Sequence, residues 1–158
     1  MPYDIPTRIK VIDVIRKVKP DVVFTHYPDD AAPDHRNTGR TVFDAIEECG
    51  VVNLRTEYPS VEVSPAIFFW QTAPIVSFNP DVLVDITETI SIKKKMFGAH
   101  KSQVKFLSTS KGKREGADFM DWIETVARFR GYQLGVKYAE GFQLPERVNR
   151  FKYLKLLP

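Results

Sequence analysis

The chain has 158 residues, 43% of them hydrophobic and 27% charged, which suits one globular domain and argues against a disordered segment. The 23 basic and 20 acidic residues leave a formal net charge of +3, too small a surplus to indicate binding to nucleic acid or to an acidic membrane. One cysteine gives no disulfide framework, and no apolar run reaches the roughly 18 residues that span a bilayer, so we expect a cytoplasmic protein without a membrane span.

The first part of the chain predicts a helix, a strand and a second helix. Residues 7–19 repeat isoleucine and valine at intervals of three and stop before Pro20, which is typical of an amphipathic helix. Residues 21–26 carry Val-Val-Phe without a polar break, as in a strand of a parallel sheet that is covered on both faces. After a polar loop, apolar residues recur with helical period over 34–49, and Gly50 offers a cap for the end of that helix.

The second part of the chain continues the alternation of strands and helices. Strands are predicted over 66–70 and 82–86, and helices over 88–101 and 117–130. This order favours an α/β fold with a mainly parallel sheet flanked by helices. No internal repeat or low-complexity linker interrupts it, so we expect residues 1–158 to form a single domain.

The segment THYPDDAAPDHRNTGR, residues 25–40, holds two of the three histidines of the chain and three aspartates. Ligands of open parallel sheets bind beyond the carboxyl ends of the strands, which is where this loop would lie. Histidine and aspartate are ligands of zinc, so a metal or catalytic role is one interpretation. The other is helix capping, because an acid such as Asp34 in a first turn interacts well with the helix dipole. The spacing alone leaves both open.

Three separated blocks resemble a known family in the right order. They are PDVVFTHYPDDAAPDHRNTGR (20–40), FNPDVLVDITETISIKKKMFGAHKSQ (78–103) and RFRGYQLGVKYAEGF (128–142). Together they are similar to the PIG-L/LmbE-like family of zinc-dependent de-N-acetylases. The resemblance implies a Rossmann-like hydrolase that removes the N-acetyl group from an N-acetylglucosamine-type substrate with zinc-activated water. The partner it implies is a small amino-sugar conjugate, while the exact sugar and a homo-oligomeric state stay open.

Residue roles follow from the resemblance position by position. His35 matches a zinc-binding histidine of the family. Asp34 matches the neighbouring carboxylate, which supports the histidines of the site, and we take it as the catalytic candidate. Asp30, Arg36 and His100 match positions that line the site or contact the substrate.

Two departures from the family pattern bear on activity. The first signature of the family, Ala-His-Pro-Asp-Asp-Glu, is absent, so the chain resembles the C-terminal two thirds of the family without its first strand-helix unit. Ala32 stands where the family usually has a histidine that polarises the substrate or protonates the leaving amine. We therefore expect zinc only where the missing ligands are supplied, because a single histidine does not bind it with useful affinity. One alternative is that His26, Asp29 and His35 hold a metal together.

Three functions stay open at this point. The chain is expected to be a fragment or truncated homologue of a zinc-dependent deacetylase. The alternative is a catalytically inactive binding or scaffold module of the same fold that pairs with another chain through an exposed sheet edge. The third is an active hydrolase that uses the histidines of the 25–40 segment. Whether the chain is itself an enzyme is not decided by its sequence.

Overall fold

The computed structural model describes residues 1–72, 78–107 and 119–145. The elements in chain order are α1 (Ile5–Val18), β1 (Val22–His26), α2 (Pro33–Glu48), β2 (Ala66–Trp70), β3 (Val82–Asp85), α3 (Ile90–Gly98), α4 (Lys101–Leu107), α5 (Phe119–Leu134) and β4 (Ala139–Gln143). The helix expected over 88–101 is observed as α3, which ends at Gly98, and α4, which was not predicted, begins at Lys101. Among the described residues, no helix is both long and apolar enough to cross a membrane.

The strands form one four-stranded sheet in the order β1-β2-β4-β3. β1 and β2 run parallel, with Val22 opposite Ala66 and His26 opposite Trp70. The crossover between them contains α2, as expected for a β-α-β unit, which needs a long connection to return the chain in the same direction. This unit carries the loop that the sequence singled out.

The expected α/β class is confirmed, but the sheet is mostly antiparallel and not mainly parallel. β4 runs antiparallel to β2. An apolar run such as that of β2 identifies a buried strand and does not encode its direction, which is why the apolar pattern indicated the wrong sheet type. Two backbone hydrogen bonds at the ends of β3 and β4 also follow the antiparallel pattern. Asp81 N–H donates to the Phe142 carbonyl, and Ile86 N–H donates to the Tyr138 carbonyl.

The chain divides into two compact units. The first comprises Met1–Val82 with the segment from Phe142 onward, and the second comprises Leu83–Gly141. In the first unit, α1 packs against α2, and α2 packs against β1 and β2. A single domain over 1–158 stays a prediction. A buried apolar cluster in the first unit consists of Ile12, Ile15, Ala45, Ile46, Cys49, Ile67 and Phe69.

Helix α1 has defined ends and supports the long connection that precedes β2. The helix begins at Ile5 because Asp4 caps it, with the Asp4 carboxylate accepting a hydrogen bond from Thr7 N–H at 2.8 Å. It ends at Val18 and is followed by the C-cap residue Lys19, whose backbone is left-handed with φ 50°. The buried Arg16 side chain fixes the 49–58 connection through hydrogen bonds to the carbonyls of Cys49, Val51, Leu54 and Tyr58 and to the Thr56 hydroxyl.

The second unit is organised around a carboxylate on α5. Glu124 accepts hydrogen bonds from Lys94 Nζ at 2.7 Å, Arg128 Nη2 at 2.8 Å and the Tyr138 hydroxyl at 2.9 Å. The bond from Lys94, followed by those from Tyr138 and Arg128, lowers the pKa of Glu124 to about 2. These contacts tie α3 and the start of β4 to α5 within this unit.

Candidate metal centre

The site lies at the carboxyl end of β1, where α2 approaches the strand very closely. Gly39 of α2 is buried, and a Cβ at this position would lie 2.4 Å from the His26 carbonyl oxygen. Only glycine allows this approach, because real Cβ atoms do not come within 3.0 Å of another heavy atom. The contact brings the first turn of α2, which contains His35, beside His26 at the end of the strand.

The two histidine rings stack on each other. Their centroids are 4.3 Å apart, with an angle of 12° between the planes, and the rings of Trp70 and His26 form a T-shaped pair with centroids 5.1 Å apart. The Nδ1 atoms of both His26 and His35 are buried without a hydrogen-bond partner in the described structure. Buried polar atoms without a partner are rare and costly, so each of them needs a physical explanation.

Asp30 lies beside this pair and is only 1% exposed. Its Oδ1 atom accepts a hydrogen bond from Ala32 N–H at 2.9 Å and lies 3.2 Å from His35 Nδ1. Its Oδ2 atom accepts a hydrogen bond from the Thr72 hydroxyl. Burial would raise the pKa of Asp30, but the bonds from Thr72 and Ala32 and the proximity of His35 outweigh burial and hold that pKa below its usual value. The carboxylate is therefore kept ionised.

His26 is held in the neutral form by its surroundings. Burial, and next the neighbouring His35, lower the pKa of His26, while Asp30 and Asp34 raise it without restoring the usual value. A neutral imidazole keeps a lone pair, which is the form that binds a metal ion.

The donor set fits a divalent metal. His26, Asp30 and His35 each offer one ligand atom, and these atoms lie within 4.8 Å of one another. Ligand atoms about 2 Å from a tetrahedral zinc ion lie roughly 3.3 Å apart, so a small inward movement of the side chains would bring them into range. The two unpartnered histidine nitrogens point to the same explanation, since a bound ion and its second sphere would satisfy them.

The other residues selected from the sequence lie around this cluster or apart from it. Asp34 is exposed on the first turn of α2, next to His35. Arg36 donates from Nη1 to the carbonyls of Asp30 at 2.7 Å and Ala31 at 2.8 Å, which closes the loop before α2. His100 is exposed between α3 and α4 of the second unit. The site roles of these residues stay predictions.

The alternative ligand set of His26, Asp29 and His35 needs a correction. Asp29 is exposed and forms an ion pair with Arg40 at 3.3 Å, whereas Asp30 joins the histidines. The reason is the turn after β1, in which Asp30 N–H bonds to the Tyr27 carbonyl and directs the Asp30 side chain inwards. No sequence signal indicated Thr72, because it follows β2, more than 30 residues further along the chain.

Part of the chain matches the sequence profile of a known protein family. The sequence profile of the family described as PIG-L, GlcNAc-PI de-N-acetylase, matches residues 6–46, which include the whole histidine cluster. The resemblance noted from the three sequence blocks is therefore confirmed.

Two curated relatives carry deacetylase names. Diacetylchitobiose deacetylase of Thermococcus kodakarensis is 25% identical over 150 residues, which cover 90% of this chain and 52% of the relative. Probable N-acetyl-alpha-D-glucosaminyl L-malate deacetylase 2 of Bacillus cereus is 28% identical over 119 residues, which cover 73% of this chain and 51% of the relative. The chain thus spans about half the length of these relatives.

Two solved structures have a fold similar to that of this chain. The conserved protein TT1542 from Thermus thermophilus has a TM-score of 0.75 and 28% identity, over 92% of this chain and 61% of that one. N,N'-diacetylchitobiose deacetylase from Pyrococcus horikoshii, solved with its inhibitor MPG, has a TM-score of 0.74 and 25% identity, over 97% of this chain and 57% of that one. These structures support the α/β assignment.

Proposed function

We propose that this PIG-L/LmbE-like chain serves the hydrolysis of an N-acetyl group on an amino-sugar conjugate, with a zinc ion as cofactor. The observation that carries the proposal is the cluster of His26, Asp30 and His35 at the carboxyl end of β1, in a chain whose matched relatives are named as deacetylases of amino sugars. The buried, unpaired Cys49 is in keeping with the cytoplasmic location expected from the sequence.

His26, His35 and Asp34 have different roles in the proposed hydrolysis. His35 and the neutral His26 would hold the ion through their ring nitrogens, and a bound zinc ion polarises an amide carbonyl and lowers the pKa of water. Asp34 is exposed beside His35 and accepts the proton that the attacking water gives up. It then returns the proton to the leaving nitrogen, so that the products are acetate and the free amine.

These roles are assigned only to residues of this chain. The His-Pro-Asp-Asp-Glu signature is not part of the 158 residues, and Ala32 supplies no proton to a leaving group. Metal binding by this chain therefore depends on His26 as a second nitrogen donor, which the sequence comparison did not assign. Activity is expected to rise with added zinc.

An assay of amine release from N-acetylglucosamine derivatives tests the proposal. The full chain is assayed over a range of zinc concentrations, together with Asp34→Asn and the matched control Asp29→Asn from the same loop. Loss of a general acid–base group costs about 100-fold or more in rate, so Asp34→Asn should fall by that factor and Asp29→Asn should stay at the wild-type level. Release of no amine at any zinc concentration would sink the proposal.

The second candidate is a binding or scaffold module without catalysis. It is favoured by Ala32 in place of a family histidine and by β1, an end strand of the described sheet on which Phe24 is 51% exposed. Exposed strand edges are sites of pairing with another chain. Light scattering of the purified protein tests it: a stable dimer without amine release supports the module, and an active monomer argues against it.

A further inference from the structure

The carboxylate of Asp30 is held from several directions by groups that carry no positive charge. Ala32 N–H bonds to its Oδ1 atom, and the Thr72 hydroxyl bonds to its Oδ2 atom. The Asp30 backbone is also fixed, since its N–H bonds to Tyr27 and its carbonyl accepts from Arg36. With 1% exposure, this side chain has no room to turn towards a substrate.

The same carboxylate faces one nitrogen of His35. Asp30 Oδ1 lies 3.2 Å from His35 Nδ1, within hydrogen-bonding distance, although the ring is not yet aligned for a full hydrogen bond. No other described group satisfies His35 Nδ1. A small rotation of the ring completes the bond, and such bonds in ligand-free sites are often long or poorly aligned before the site is loaded.

This arrangement gives the two ring nitrogens of His35 different roles. A histidine whose Nδ1–H is bonded to a carboxylate keeps its lone pair on Nε2, and metal-binding histidines are typically oriented in this way. Once the His35 ring has turned to complete its bond, this bond and the one from Ala32 N–H occupy both lone pairs of Asp30 Oδ1. Asp30 is thus better suited to orient His35 than to bind an ion itself.

We propose that Asp30 is a positioning residue that holds His35 in the Nδ1–H tautomer, with Thr72 fixing the carboxylate from the end of β2. The metal-binding role of His35 Nε2 rests on the proposed function, whereas the tautomer does not. The family resemblance gave the supporting role to Asp34, but Asp34 is exposed, and it is Asp30 that lies against the His35 ring.

Nitrogen NMR of the metal-free full chain, labelled on histidine, reads the tautomer directly. At a pH where the rings are neutral, the wild-type His35 signals should be those of a protonated Nδ1 and a bare Nε2. A His35 ring found in the Nε2–H form would overturn the proposal.

Variants separate positioning from a general effect on folding. Asp30→Ala should return His35 to the tautomer mixture of a free imidazole, while Asp29→Ala in the same loop should keep the wild-type signals. Since Asp30→Ala removes the acceptor of two buried donors and can unfold the loop, Thr72→Val is the second variant. It keeps the carboxylate and should shift the tautomer partially. An unchanged tautomer in the folded variants contradicts the proposal.

Titration with Co²⁺ alone distinguishes positioning from ligation. Loss of a second-sphere carboxylate weakens metal binding by about 10- to 100-fold, so Asp30→Ala should bind Co²⁺ that much more weakly with the same visible absorption bands. Altered bands in Asp30→Ala would identify Asp30 as a ligand and overturn the proposal. If the wild-type chain binds no Co²⁺, the proposed function fails, and the tautomer measurement still decides the role of Asp30.

Discussion

Gly39 and Gly131 have the same structural role in the two units of the chain, and only one of them builds a site. A Cβ on Gly39 would lie 2.4 Å from the His26 carbonyl oxygen, and a Cβ on Gly131 would lie 2.7 Å from the carbonyl oxygens of Val136 and Lys137. Each glycine lets a helix pack directly on backbone. In the first unit the approach joins two histidines and a buried aspartate, and in the second it closes the connection from α5 to β4.

The difference lies in how the neighbouring carboxylates are partnered. Glu124 in the second unit is bound by Lys94 and Arg128, so its charge is neutralised and its role is structural. Asp30 in the first unit is bound by neutral donors and faces a histidine. Close packing alone therefore does not mark a functional site, whereas a buried, ionised carboxylate without a cationic partner does.

The largest effect is expected from Gly39→Ala. The methyl group would collide with the His26 backbone, so we expect a loss of about 3 kcal/mol in the free energy of unfolding, measured with urea. The same movement separates His26 from His35, and Zn²⁺ binding by the folded variant should fall with it. Gly98→Ala is the matched control, because a Cβ there meets nothing within 4 Å and the stability should be unchanged or slightly higher. Unaltered Zn²⁺ binding in Gly39→Ala would contradict this account of the site.

Gly131→Ala should destabilise the chain without affecting the metal site. Overpacking against the Val136 and Lys137 carbonyls is expected to cost about 2 kcal/mol, again measured with urea. Zn²⁺ affinity of the folded protein should match the wild type, because the cluster belongs to the other unit. Should this variant bind Zn²⁺ as poorly as Gly39→Ala, the contrast between the two glycines would be lost.

The smallest effect is expected from Glu124→Gln and depends on pH. The pKa of Glu124 in the folded chain is about 2, below its usual value of 4.5, so its stabilising contribution is present above pH 4.5 and is lost as the pH falls towards 2. The variant lacks this contribution at neutral pH and should show a shallower decrease in melting temperature over that range. The exposed Glu88→Gln serves as control and should keep the wild-type slope. Equal slopes for Glu124→Gln and the wild type would be inconsistent with the assigned network.

The sequence predicted local structure well where apolar periodicity decides it. The strand at 66–70 and the helices of the first unit lie within a few residues of their predicted bounds. Strand direction was not predictable, because the alternation of strands and helices suggested parallel neighbours and β4 enters the sheet antiparallel to β2. The end of α3 at Gly98 and the separate helix α4 were also not predicted.

The site was predictable in part. The crowding of histidine and aspartate after an apolar strand pointed to the loop in which His26, Asp30 and His35 lie together, and the metal-binding role of His35 stays a prediction. The choice between Asp29 and Asp30 depends on a turn bond to Tyr27, which no periodicity encodes. Thr72 contacts Asp30 only because β2 lies beside β1, and such long-range pairings are not visible in a single sequence.

Calorimetric titration of the metal-free chain with Zn²⁺, alongside His35→Ala and the control His100→Ala, tests the central claim most directly. The account predicts binding of one Zn²⁺ per chain, weakened at least about 100-fold in His35→Ala, since each tenfold loss of affinity corresponds to about 1.4 kcal/mol and a lost ligand costs more than twice that. His100→Ala should bind like the wild type. Absence of Zn²⁺ binding, or binding that His35→Ala leaves unchanged, would show that the cluster of His26, Asp30 and His35 is not a metal centre.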